Sequence, residues 1–176
     1  MAAVIHINRA PVLTLWSTVV AERLGFDWDE ALTLGQAVAG LNAHAKGVQL
    51  GLFEPTPEAE KERRRAARQG ETLHVALLGR AVPAVQTPAG VRALKNDQAT
   101  KPESVARYLQ KAFGDDLDEA RRTMEQLARS MAPEDLARYA YHLYEQFRPV
   151  VPPDVWGWGA KADLDLGFVA TLARAE

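Results

Sequence analysis

The sequence predicts a mainly α protein, a compact multi-helix domain with a small central β-hairpin. Apolar residues recur at helical spacing along most of the chain, while between residues 72 and 95 the period falls to two around a short glycine-containing turn. A chain of 176 residues, 47% hydrophobic and 25% charged, suits one sizeable core.

The elements follow in order. Residues 1–10 read as a short strand or an irregular arm. Pro11 lacks an N–H and suits a first helical position, Val12, Trp16, Val19 and Val20 share one side, and Gly25 ends the helix. Asp27 or Asp29 caps a second helix with the stripe Ala31, Leu34, Val38 and Leu41, exiting over residues 42–47. Gly35, Ala39 and Gly40 leave room for a neighbouring backbone. Thr56-Pro57 opens a third helix, acids first and arginines last, in the order its dipole favours, and Gly70 closes it. Leu73, Val75, Leu77, Val82 and Val85 mark two strands around Gly79-Arg80, with Pro83 placed at an edge or a bulge because it cannot donate. Pro88 and Gly90 form a second turn before Val91, Arg92 and Leu94.

Asn96–Thr100 is a polar hinge. It divides residues 1–95, a helical lobe with the basic helix and the hairpin, from residues 101–176, a C-terminal helical lobe packed on the first as one globular unit. Three amphipathic helices follow, expected to be antiparallel neighbours. Their buried sets are Val105, Tyr108, Leu109, Ala112 and Phe113; Leu117, Ala120, Met124, Leu127 and Ala128; and Leu136, Tyr139, Ala140, Leu143 and Phe147. Pro149–Pro153 interrupts helix, and Asp163 is placed as the cap of a last helix bearing Leu164, Phe168, Val169 and Leu172.

Composition narrows function by exclusion. The chain has no cysteine, so disulfides, thiolate nucleophiles and cysteine-held metal centres are ruled out. His6, His44, His74 and His142 are too scattered for a local metal motif, and no metal or cofactor is expected. The first residues lack a basic stretch followed by an apolar one, and no apolar run is long enough to span a bilayer. A cytoplasmic protein without membrane partners is the expectation.

The strongest functional signal is charge. Residues Lys61 to Lys95 hold eight Lys/Arg against two Asp/Glu, a local +6 in a chain whose total is -2. The candidate polyanion-binding set is Arg63, Arg64, Arg65, Arg68, Arg80, Arg92 and Lys95, because guanidinium forks match phosphate oxygens. The helices before the hairpin offer few base-reading side chains, so backbone contact is favoured over sequence readout. Dipole ordering and a solvated charged face account for part of the same pattern. Trp156 and Trp158, between glycines and followed by Lys161, form a second candidate, either stacking on a planar ligand or folding back as a packing plug. Asp27, Asp29, Asp115, Asp116, Asp163 and Asp165 stand where helix starts are expected, and capping explains them without catalysis. No motif assigns a catalytic residue, and there is neither a GxGxxG nor a P-loop.

Three classes of function remain. They are a nucleic-acid-backbone-binding or regulatory module, a protein-interaction or homo-oligomeric assembly module, and an enzyme of unassigned class.

Overall fold

The structure is a computed structural model, described here over residues 4–49, 72–95, 98–149 and 161–174. It is mainly helical with a small β region, as the sequence predicts. The described elements are β1 (Val4–Asn8), α1 (Arg9–Arg23), α2 (Trp28–Gln49), β2 (Thr72–Leu77), β3 (Arg80–Thr87), β4 (Gly90–Lys95) and β5 (Gln98–Ala99). After these come α3 (Pro102–Phe113), a 3₁₀ turn (Gly114–Asp116), α4 (Leu117–Arg129), α5 (Pro133–Phe147), β6 (Lys161–Asp165) and α6 (Leu166–Arg174). The expected helix from Pro57 to Gly70 lies outside the described residues.

Helix α1 sits at the centre. Every residue from Pro11 to Ala21 is buried, including Thr14, Ser17 and Thr18. The one-sided stripe expected from Val12, Trp16, Val19 and Val20 is therefore a helix covered all round, packed by α2, α3, α4, α5 and β1. Two of its three hydroxyls turn inward on the backbone, while Ser17 Oγ is buried with no partner among the described residues. Thr14 Oγ1 donates to Ala10 O (2.9 Å) and Thr18 Oγ1 to Thr14 O (2.7 Å), which satisfies buried polar atoms that would otherwise cost about 1–3 kcal/mol each. The indole of Trp16 donates to Ala140 O of α5 (2.9 Å) and stands edge-on to Phe147 at 5.4 Å between centroids.

Helix α2 reaches α1 through Gly35. A Cβ there would fall inside van der Waals contact with Thr18 Oγ1, 2.7 Å from Thr14 O and 2.8 Å from Thr18 N. Two of those three atoms are backbone and cannot swing away, so only glycine permits the approach. At its start, Asp27 Oδ1 accepts from Glu30 N (2.8 Å) and Glu30 Oε1 accepts from Asp27 N (3.0 Å), a reciprocal capping box. The second oxygen of Glu30 reaches further and accepts from Val91 N of β4 (2.7 Å). One turn on, Thr33 Oγ1 donates to Glu30 O (3.0 Å) and accepts from Ala93 N (3.1 Å). Two side chains of α2 thus take the alternate N–H groups of β4 that do not face β3. Gly90 fits beneath Glu30 with φ +124°, where a Cβ would meet Oε2 at 2.9 Å.

The main sheet is antiparallel in the order β2-β3-β4-β5. The first turn is Leu78-Gly79, one residue earlier than the expected Gly79-Arg80, because Leu77 pairs with Arg80 and both turn residues take positive φ (49° and 76°). Pro83 lies in an internal strand rather than an edge, and β3–β4 pairing ends beside it, at Ala84 with Ala93. Residues Gln98–Ala99 of the expected hinge instead pair with Leu94 and Lys95.

A second sheet joins the two ends of the described chain, β1 against β6, with Ile5 opposite Leu164 and Ile7 opposite Ala162. Here the expected last helix is corrected. Residues 161–165 are strand, Asp163 hydrogen-bonds His6 across it, and the cap is Asp165, whose Oδ1 accepts from Phe168 N (3.2 Å). Helices α3, α4 and α5 each pack on α1 rather than chiefly on one another. In α5, Tyr144 is buried and Tyr139 is exposed. One hydrophobic cluster runs from Ile5 through Val82, Met124 and Val169.

Gly35→Ala should lower unfolding free energy by about 1–3 kcal/mol through overpacking, read from the urea midpoint. Glu30→Gln keeps a carbonyl oxygen but replaces the other acceptor with an amide donor facing Val91 N. It should cost about 1.5–3 kcal/mol, with the β4 amides exchanging hydrogen faster than those of α4.

Candidate functional site

Because α1 is covered along its length, its charged residues appear only at its ends. At the C-terminal end Glu22 and Arg23 emerge beside α4, whose Arg121, Glu125 and Arg129 recur every four residues and so share a face. These five charged residues, with Val19 and Ala128 between them, line an open groove of about 380 Å³.

Arg121 is held from three sides. Its guanidinium lies 3.6 Å from the centroid of the Trp28 ring, with Nε 3.6 Å from Glu125 Oε2 and Nη2 3.9 Å from Glu22 Oε2. Glu22 and Glu125 thus share Arg121 as a common cation. Burial holds the Glu22 carboxyl above its usual range and Glu125 adds to that, while Arg121 and Arg129 oppose it.

The other two arginines are not neutralised in this way. Arg23 Nη2 donates to Met131 O (3.3 Å), but its Nε is buried without a partner among the described residues. Arg129 is exposed and makes no ion pair with an acid among the described residues. The groove therefore holds three cations and two carboxyls, with one cation committed to both acids.

The residues singled out from the sequence lie elsewhere. Arg63, Arg64, Arg65 and Arg68 fall outside the described residues, as do Trp156 and Trp158. Arg80 is half-buried at the start of β3 and Lys95 is exposed at the end of β4. Both lie beyond the Ala84–Ala93 pair, toward the Leu78-Gly79 turn. Arg92 is 8% exposed and folds onto its own hairpin, donating to Val91 O (2.9 Å) and Ala89 O (3.4 Å). Lys161 is exposed and pairs in register with Asn8. The groove residues Glu22, Arg23, Arg121, Glu125 and Arg129 escaped the sequence reading. The available signal was the four-residue spacing of Arg121, Glu125 and Arg129, together with a Glu-Arg pair closing an otherwise uncharged helix interior.

Among the described residues no group of three His, Asp or Glu side chains is placed to hold a metal ion, and no helix is long and apolar enough to cross a membrane. Comparison with protein-family models, curated proteins and solved structures finds no match to this chain.

A carboxyl whose folded-state pKa is raised favours folding at low pH and loses that contribution as pH rises through the folded value. Arg121→Ala removes the largest charge opposing the upward shift of Glu22. Its destabilisation should therefore be greater at about pH 7.5 than at about pH 5 in paired urea titrations. Equal losses at both would mean that Arg121 acts only by packing on Trp28.

Proposed function

We propose that this protein is a regulatory binding module that holds an oxyanion-bearing small molecule, a carboxylate, sulfate or phosphate, in the groove between α1 and α4. The observation that carries this reading is that Arg23 and Arg129 line one groove, with Arg129 exposed and in no ion pair with an acid among the described residues. An anionic oxygen bound there would accept charge-assisted hydrogen bonds from the guanidinium groups that line the groove. Arg121, fixed between Trp28 and the two acids, shapes the wall and leaves Arg23 and Arg129 for the ligand.

Thermal unfolding with sulfate, pyrophosphate and citrate tests this. The parent should be stabilised by at least one of them, and Arg129→Ala, a change at an exposed position, should lose most of the gain without losing basal stability. Absence of stabilisation by all three would remove the reading.

A second reading, contact with a nucleic-acid backbone, is favoured by the charge reversal between Lys61 and Lys95. Arg63, Arg64, Arg65 and Arg68 would carry it, with Arg80 and Lys95 extending it. On this reading, changing Arg63, Arg64 and Arg65 together to Ala weakens duplex binding and flattens its dependence on salt. A duplex that does not bind at low salt would dispose of it.

A further inference from the structure

An edge strand offers a row of unpaired backbone donors and acceptors, and a protein that stays alone blunts it with charge, brevity or a cover. Several edges here are blunted. Strand β5 has two residues, β6 carries Lys161, Asp163 and Asp165, and Glu30 and Thr33 take outer N–H groups of β4. Strand β2 differs. It closes the main sheet on the opposite side, and among the described residues it pairs with β3 alone. Its six residues, Thr72–Leu77, include no Asp, Glu, Lys, Arg or Pro, and no bulge interrupts their pairing.

The register fixes which backbone groups face outward. Leu77 and Arg80 flank a two-residue turn with positive φ at both positions, so they form a hydrogen-bonded pair, and the pairs alternate from there. Val75 with Val82 and Leu73 with Ala84 exchange bonds, while Thr72, His74 and Ala76 turn their N–H and C=O groups to the free edge. Pro83 fits this alternation, since it stands opposite His74 in a pair that asks no N–H of it. The side chains supply a second observation. Leu73 lies on the same face as Val75 and Leu77, both of which pack against the core, yet it is 42% exposed. His74 and Ala76, on the other face, are exposed as well.

We propose that β2 is the interface of a two-fold dimer, in which it pairs antiparallel with β2 of a second copy, His74 opposite His74. The outward positions are symmetric about His74, so this register bonds Thr72 with Ala76, His74 with its mate and Ala76 with Thr72. An axis centred on Val75 would leave only His74 and Ala76 bonded to one another within the strand. The occupant is a second copy because the pattern is self-complementary. A two-fold brings a strand against its own sequence, which like charges resist and an uncharged strand allows. The same register sets Leu73 opposite Val75 of the second copy, covering the apolar side chain that a single chain leaves open.

Sedimentation velocity of the whole chain, over a wide range of concentration, should show monomer giving way to dimer. Leu73→Lys puts a charge on the edge at a side chain already exposed, and should raise the dimer dissociation constant about tenfold or more. Phe168→Lys, at an equally exposed apolar position on α6, should leave that constant unchanged. Because the chain has no cysteine, single introduced thiols report the register. His74→Cys should join two copies through a short bifunctional thiol reagent, whereas Ala76→Cys, whose own mate lies further along the strand, should not. A monomer at every concentration overturns the proposal, as does a dimer that Leu73→Lys leaves intact. Linking at Ala76→Cys in preference to His74→Cys overturns the register.

Discussion

A helix enclosed from Pro11 to Ala21 carries no charge along that length, and its polar side chains other than Ser17 find partners inside the protein. Much of the architecture answers that constraint. Thr14 and Thr18 bond back to their own helix, and Trp16 spends its single donor on a carbonyl of α5. Covering such a helix needs neighbours on every side, which is why α3, α4 and α5 are arranged around α1 instead of forming a bundle of their own. Their one-sided apolar stripes match that arrangement, with Leu109, Met124 and Leu136 all buried.

The same constraint sorts charge toward the ends of α1. At the first turn Arg9 donates to Pro149 O (2.6 Å), its pKa lowered by burial and then by Arg148 nearby. At the last turn Glu22 and Arg23 meet the charged face of α4. The groove is thus a consequence of how the core is closed: charges excluded from the middle of α1 collect where the helix leaves the core. Arg121 links this end to α2 as well, through Trp28. Helix α2 performs a similar task for the main sheet, since Glu30 and Thr33 complete the hydrogen bonding of β4 where a further strand would otherwise add. Fold and candidate site share elements, but the residues that hold the sheet are distinct from those that line the groove.

The local chemistry of the sequence was readable, and the long-range pairing was not. Asp27 as a cap, Gly35 as a point of close approach and the stripes of α3 and α4 each follow from a period or a residue's own geometry. The turn at Leu78-Gly79 was misplaced by one residue because leucine gives no sign that it will take a positive φ. Strand β6 was read as the lead-in to a helix, since its partner β1 lies at the opposite end of the chain. Alternation in Lys161–Asp165 was the signal, and the last helix beside it obscured it. Tyr139, expected on the buried face, is exposed, and Tyr144, outside the expected stripe, is buried. The groove was missed for a related reason: Glu22 and Arg121 are far apart in sequence and meet only because α1 and α4 pack together. Charge density drew attention to the basic segment instead, and Arg92, one of its members, is spent on its own turn.

Helix α1 is the enclosed element on which α2, α3, α4 and α5 are assembled. Native-state hydrogen exchange measures this most directly. The amides of Val12 to Ala21 should exchange only through global unfolding, with the same free energy and denaturant dependence as the whole domain, while the outer turns of α3 and α5 open at lower cost. Exchange of the α1 amides through a local opening, at lower free energy than those of α4 or α5, would contradict it.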